Sequence, residues 1–361
     1  MTRATKLTID LSAIRANYQL AIDRAPNSQT LAVVKADAYG HGIKEVLSVL
    51  GKAPAFAVAT IDEAIHLRTL TDTPILILQG VMRADELAEA KEHKLTPMVH
   101  QVNQLKLFAE HPTAIPAAVW LKLDSGMSRL GFKADEVNSA LQALRQYDAI
   151  DELVVCSHFA NASSPDSLKN QQQLEQLLTL KTQYPDLKYS MANSAAILSD
   201  PSSHFDWNRA GIMLYGGSPF DDINHPDNQL LQSTMTLTSE VIAIRTLDVG
   251  DSVGYGETWR AERPSRIATV AAGYADGYPR HAPNGTPVYI AGKRLPLVGR
   301  VSMDMITVDV TDAPDVQLGE TAELFGQHVA IDVVAERAGT ISYQLMTSIT
   351  ERVRRAYVSG E

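Results

Sequence analysis

Lys35 closes the apolar run Leu31-Ala32-Val33-Val34 and is followed by the string ADAYGHG. A lysine whose stem is buried in this way needs a partner or a purpose. Removed from water, its amine loses its proton more easily and can form a Schiff base with an aldehyde. Taken alone, Lys35 is equally a lysine that reaches solvent at a strand mouth. Other reactive types recur at the same end of other apolar runs. Lys122 ends AAVWLKL, with Arg129 just beyond it. His158 closes LVVCSHF, Ser194 follows KYSMAN, and Arg209 and Gly211 lie in DWNRAGIMLYG. Such a set, gathered on one face, suits an anionic or carbonyl ligand.

Elements must exist that bring these ends together. Eight short apolar runs lie at 30–35, 55–59, 75–79, 95–100, 117–123, 153–159, 188–193 and 206–216. They show little polar alternation, as expected of strands buried on both faces of a parallel sheet. Amphipathic stretches separate them. IDEAIHLRTL spaces Ile61, Ala64 and Ile65 along one helical face, and SLKNQQQLEQLLTLKTQY does so with Leu174, Leu177 and Leu178. Eight such units predict an α/β fold, a (β/α)₈ TIM-type barrel, in which reactive groups gather at the C-terminal strand ends. An open doubly wound sheet is the other architecture compatible with the pattern.

GGSPFDDINHPDNQ (216–229) reads as a linker. Beyond it, MTLTSEVIAIR, SRIATVAAG, TPVYIAGKRLPLVG and MITVDVT read as strands, with a hairpin turn at Ala291-Gly292-Lys293. ISYQLMTSITERVRRAYV reads as a closing helix. The expected domains are therefore a barrel over 1–225 and a mainly-β domain over 226–361.

The chain has 361 residues, of which 45% are apolar and 20% charged, as in ordinary globular proteins with a core that needs no staples. Its formal charge of −10 disfavours nucleic acid as a partner. Cys156 is the only cysteine, which excludes an intrachain disulfide and fits a buried inert thiol in a reducing cytoplasm. Asp10 and Arg15 interrupt any signal-like apolar core near the N-terminus, and no stretch suits a membrane helix.

VVKADAYGHG, LKLDSGMSRLGF, SHFANA, ANS, NRAGIMLYG, VGYGETW, GYADGYPR, GRVSMDM and ISYQL occur in this order along nearly the whole chain. Together they resemble the alanine racemase family of pyridoxal-phosphate (PLP) enzymes, and an ordered set is far more specific than any one string. The resemblance implies interconversion of L- and D-alanine by two bases, either to supply D-alanine or to feed alanine catabolism. Lys35 is similar to the lysine that holds PLP and removes the α-proton of D-alanine. Tyr255 resembles the second base, acting on L-alanine from the partner chain of a homodimer with shared sites. Tyrosine ordinarily keeps its proton near neutral pH, so neighbouring cations must stabilise its anion.

Tyr39, Ser194, Tyr343 and the backbone N–H groups of Gly211 and Ile212 resemble the phosphate ligands. Arg209 resembles the arginine at the pyridine nitrogen; permanently charged, it keeps that nitrogen unprotonated and weakens the ring as an electron sink. His158 is similar to the histidine between this arginine and the tyrosine base. Arg129 and the Met303 backbone resemble the groups that hold the substrate carboxylate. Lys122 matches a lysine often found as a carbamate, and an ordinary lysine stands beside that reading. Tyr274, Arg280, Arg300 and Ile341 match residues lining the substrate access path. The chain departs from the pattern at Ser163, where many members place an acidic residue.

Three other readings compete. A barrel PLP decarboxylase usually sets a carboxylate against the pyridine nitrogen, which Arg209 opposes. A PLP-homeostasis protein has the barrel alone, which the C-terminal segment with Tyr255 and Met303 opposes. A racemase of serine or of many amino acids differs only in pocket volume, which the sequence does not fix.

Overall fold

The computed structural model describes residues 4–359. Eight parallel strands close a barrel: β2 (Gln29–Val33), β3 (Phe56–Val58), β4 (Ile75–Ile77), β5 (Leu95–Val99), β6 (Ala118–Lys122), β7 (Glu152–Cys156), β8 (Lys188–Ser190) and β9 (Trp207–Ala210), each paired to the next and β9 back to β2. Each coincides with one of the eight apolar runs. The open doubly wound alternative is thereby excluded. The strands are buried along most of their length because helices cover them outside and side chains fill them inside. Trp120 of β6 and Trp207 of β9 meet across the interior, with ring centroids 6.0 Å apart.

The helix Ile61–Arg68 buries Ile61, Ala64 and Leu67, and Leu168–Gln183 buries Leu177. Ile65 and Leu174 are only half-buried and Leu178 is exposed, so each buried stripe is narrower than its spacing predicts.

A second, mainly antiparallel sheet holds β1 (Lys6–Asp10), β10 (Met235–Leu247), β13 (Ser265–Val270), β14 (Pro287–Ile290), β15 (Lys293–Pro296), β16 (Ile306–Asp309), β17 (Thr321–Phe325) and β18 (Arg354–Val358). The short strands β11 (Ser252–Val253) and β12 (Trp259–Arg260) pair separately. The predicted hairpin joins β14 and β15 through Ala291 and Gly292, both at positive φ.

Two features depart from the sequence reading. Residues 6–10, counted with the barrel, form the strand of this second sheet that lies between β10 and β18. Leu7 and Ile9 alternate with half-buried residues, the pattern of a one-sided sheet, and Asp10 then caps the helix Leu11–Arg24 through Ser12 N (2.9 Å) and Ala13 N (3.1 Å). The closing helix is also shorter than predicted. It spans Ser342–Ser348, and Arg354–Val358 becomes β18, parallel to β1. Leu345, Ile349 and Val353 are all buried at a spacing of four, which imitates a helix, but Ile349 turns extended (ψ 118°) and β1 offers an open edge. The domain ends expected at residues 1 and 361 lie outside the described residues.

Candidate active site

A cavity of about 900 Å³ opens at the C-terminal ends of the barrel strands. Lys35, Tyr39, Lys122, Arg129, His158, Ser194, Arg209, Gly211, Ile212, Ile341 and Tyr343 all line it. The strand ends and the turns after them hold nearly all of this set, and the helix Ser342–Ser348 of the C-terminal segment adds Tyr343.

Lys35 directly follows β2 and opens a turn of rare hand. Ala36, Asp37, Ala38 and Tyr39 all have φ between 52° and 54°, one turn of left-handed helix. Such backbone costs about 1–2 kcal/mol per L-residue, so the surroundings must impose it. Glu63 accepts hydrogen bonds from Ala36 N–H and Ala59 N–H, both at 2.7 Å. Asp37 accepts from Ile43 N–H at 2.8 Å. The fully buried His41 donates through Nδ1 to the Ala38 and Tyr39 carbonyls (3.1 and 3.0 Å), and its Nε2 meets the Thr234 hydroxyl at 2.8 Å. The turn delivers the Tyr39 ring onto Tyr215, with centroids 4.6 Å apart. Burial and then Arg129 pull the Lys35 amine below its ordinary value, and Glu63 opposes them.

One end of the cavity gathers hydroxyls and backbone N–H groups. A Cβ at Gly211 would stand 3.0 Å from the Tyr39 hydroxyl and 3.7 Å from the Ser194 hydroxyl, so glycine leaves a cradle between them. Ser194 Oγ accepts from Gly211 N–H (2.9 Å) and Met213 N–H (3.3 Å). Tyr343 closes the cluster, its ring centroid 6.0 Å from that of Tyr39. Asp332 also lines the cavity near Tyr343, but its carboxylate is engaged by Ser218 N–H and the Ser342 hydroxyl, so the hydroxyls and backbone N–H groups are what this end offers a phosphate.

Cations dominate the other end. Arg209 is buried and donates from one terminal nitrogen to Ser190 Oγ (2.5 Å) and from the other to Ser157 O (2.6 Å), Met191 O (3.1 Å) and His158 Nδ1 (3.1 Å). Because arginine only donates, His158 Nδ1 is the accepting nitrogen and the ring proton sits on Nε2. Burial, then Arg209 and Lys122, hold His158 well below its ordinary value, so it stays neutral. Burial pulls Lys122 down to about 8; Cys156 opposes the shift, and Arg209 and Arg129 add to it. Lys35, Lys122, Arg129 and Arg209 together leave a strong positive field for carboxylate and phosphate. The donor cradle, the half-buried Lys35 and the cationic wall fit pyridoxal phosphate.

Tyr255, Tyr274, Arg280, Arg300 and Met303 do not line this cavity. Tyr255 is 69% exposed and Met303 53%, and both belong to loops that touch one another on the C-terminal surface. There the Val253–Gly254 segment packs on Gly299–Arg300, and Tyr274 N–H donates to Ser302 O at 3.1 Å. Within one chain, the lysine and tyrosine bases implied by the resemblance are therefore not brought together.

The sequence reading missed several supporting groups. Glu63 was legible as the fourth residue of a Thr60-x-x-Glu63 capping box. His41 stood in view within ADAYGHG, but nothing in its spacing announced its carbonyl contacts. Met213 joins the Ser194 hydroxyl. Asp332 accepts from Ser218 N–H (3.0 Å) and ties the segment after β9 to the helix of Tyr343. Asp221 donates its N–H to Ser163 O (3.1 Å), and its carboxylate accepts from Ser164 Oγ (2.6 Å). It lines the cavity with Ser163, so a carboxylate stands at the mouth after all.

Comparison with known proteins agrees with this geometry. Residues 9–219 match the family described as "Alanine racemase, N-terminal domain" and residues 234–357 the one described as "Alanine racemase, C-terminal domain". The chain is 47% identical to the biosynthetic alanine racemase of Pseudomonas aeruginosa over 352 residues, 97% of this chain and 98% of that one. It is 45% identical to the alanine racemase of Chromohalobacter salexigens over the full length of both. The crystal structure of the Pseudomonas aeruginosa enzyme superposes with a TM-score of 0.95 at 46% identity, covering 99% of this chain and 100% of that one. That of Bartonella henselae alanine racemase, with covalently bound pyridoxal phosphate, gives 0.88 at 32% identity, covering 98% and 99%. The chain belongs to the alanine racemase family.

Proposed function

We propose that this chain is a PLP-dependent racemase of L- and D-alanine, a homodimer in which each site draws residues from both subunits. The observation that carries the reading is the convergence of Lys35, Tyr39, Ser194, Arg209, Gly211 and Tyr343 on one cavity in a member of this family. Held at Lys35, pyridoxal phosphate supplies a sink for the electrons left when Cα loses its proton. Tyr39, Ser194, Tyr343 and the N–H groups of Gly211 and Ile212 would hold the phosphate, with Gly211 N–H giving up its present bond to Ser194 Oγ (2.9 Å). Arg209 would face the ring nitrogen and, able only to donate, would keep it without a proton, moderating that sink and disfavouring transamination and decarboxylation.

Inversion requires one proton to leave one face of Cα and another to arrive on the opposite face. Lys35 serves the face from which D-alanine loses its proton. Tyr255 of the partner subunit serves the other, on L-alanine. His158, with its proton on Nε2, stabilises the tyrosine oxygen once that proton has left. Arg129 binds the substrate carboxylate together with the backbone N–H of Met303 of the partner subunit. The low value of Lys122 supplies neutral amine that can add to carbon dioxide, giving a carbamate and a released proton. The resulting anion would hold Arg129 in place by a charge-assisted hydrogen bond.

Tyr274, Arg280 and Arg300 of the partner subunit, with Ile341, line the access path, and Asp221 takes the role that Ser163 lacks. We divide the chain near residue 225, with β1 assigned to the C-terminal unit. A dimer accounts for the exposure of Tyr255 and Met303, both of which lie outside the cavity. No helix among the described residues is long and apolar enough to cross a membrane. We place the enzyme in the cytoplasm, where its one reduced cysteine is at home.

The test is the circular dichroism of L-alanine incubated with PLP-loaded protein. The signal should decay to zero, because enantiomers have equal free energy. A persistent signal from protein that is yellow with bound cofactor would sink the alanine reading.

A further inference from the structure

Two loops on the exposed C-terminal surface carry residues given roles above: Gly273–Gly277 with Tyr274, and Val301–Met305 with Met303. They are joined backbone to backbone. A Cβ at Gly273 would stand 2.3 Å from Ser302 O and 2.5 Å from Met303 O. Tyr274 N–H donates to Ser302 O (3.1 Å) and Ala275 N–H to Met303 O (3.0 Å). One cation closes over both loops. Arg352 Nε lies 3.4 Å from Asp276 Oδ1, and a terminal nitrogen lies 2.6 Å from Asp304 Oδ1. Asp276 is fully buried and accepts Gly273 N–H through its other oxygen at 2.9 Å. Thr350, two residues before Arg352, donates its hydroxyl to Ala275 O (2.8 Å).

We propose that Arg352 is a positioning residue that, through Asp276 and Asp304, fixes the Tyr274 and Met303 loops in the geometry that completes the active site of the partner subunit. The inference rests on the dimeric reading above. Its physical basis is the width of the guanidinium, which donates a hydrogen bond to Asp304 from one nitrogen while another faces Asp276 as an ion pair, whereas a lysine offers one point charge. Stability alone does not call for this arrangement. A buried ion pair gains little over well-packed apolar residues, and the Asp304 side chain is 47% exposed. What the clamp adds is the relative placement of two loops that present Tyr274 and Met303 to the outside.

The test compares Arg352→Lys and Asp304→Asn with wild type as PLP-loaded protein. The readouts are KM and kcat for L-alanine, sedimentation, and amide hydrogen exchange over 273–277 and 301–305. We expect KM to rise about tenfold with kcat within about twofold, since the misplaced groups bind substrate and do not transfer its proton. Exchange should quicken in both loops while the sedimenting species stays the same. The double variant should be no worse than Arg352→Lys. Should Arg352→Lys fail to fold, Asp304→Asn decides by the same criteria. Wild-type KM in the folded variants overturns the clamp, as does a loss of activity that merely follows loss of the dimer. Tyr255→Phe, run alongside, separates the two ideas. If it slows racemisation while the clamp variants behave as wild type, only the clamp falls. If it has no effect, the shared-site reading falls and the clamp with it.

Discussion

In the proposed mechanism Tyr255 and Lys35 have opposite tasks, so removing one should not affect both substrates alike. Tyr255→Phe should slow solvent-deuterium incorporation from L-alanine far more than from D-alanine; an equal loss for the two would sink the two-base assignment. Gly211 offers a test that does not depend on turnover. Its missing side chain leaves the space between the Tyr39 and Ser194 hydroxyls, and a methyl there would stand 3.0 Å from the former. Gly211→Ala should keep its far-UV circular dichroism but bind PLP at least about tenfold more weakly, one lost phosphate contact being worth roughly 1.5–3 kcal/mol. An absorbance titration of the apoprotein measures it. Most of these residues were legible because reactive types ended apolar runs and because whole strings matched a family pattern. Asp332 and Asp221 were less so, since each bonds a segment remote from it in sequence, Asp332 through Ser218 N–H and Asp221 through the Ser164 hydroxyl and the Ser163 carbonyl.

The eight barrel strands were readable for a simple reason. Burial on both faces leaves each as an unbroken apolar run, whatever its neighbours are. The left-handed turn Ala36–Tyr39 was not readable, because of its residues only Asp37 has any leaning toward positive φ. Its conformation is imposed by Glu63, by His41 and by close packing beneath it. Gly40 sits at φ 78°, and a Cβ there would fall 2.4 Å from Met346 O. Gly40→Ala should therefore lower stability by about 1–3 kcal/mol and loosen the cofactor, because the turn aims both Lys35 and Tyr39. Thermal unfolding with and without PLP tests this; an unchanged melting temperature in both would remove the turn from the account. The two misread elements, β1 and β18, failed for the same reason as each other. Each is short and is a strand only through pairing with segments remote in sequence: β1 with β10 and β18, and β18 with β1.

Across the whole molecule, the His41 imidazole joins the lysine turn to the start of the C-terminal segment through Thr234. Burial drives its value down from 6.5 to about 4. In the unfolded chain it takes up a proton near 6.5, so the stability it contributes is complete above that pH and is lost as pH falls toward 4. Linkage puts the loss between pH 7 and pH 5 at about 2 kcal/mol. Urea unfolding at fixed protein concentration should show that His41→Asn, though less stable at pH 7, loses less over this interval than wild type. Parallel slopes would mean that other groups govern the acid limb.

The sequence by itself determined the barrel, the family, and the types of residue that line the cavity at the strand ends. These are properties of local runs and short strings, and local burial writes them into composition. Only the tertiary structure decided that residues 6–10 close the second sheet, that Lys35 sits on a left-handed turn, and that His158 is neutral with its proton on Nε2. It alone placed Tyr255 and Met303 outside the cavity that holds Lys35. Each of these depends on contacts between segments far apart in the chain, and no single segment encodes its partner.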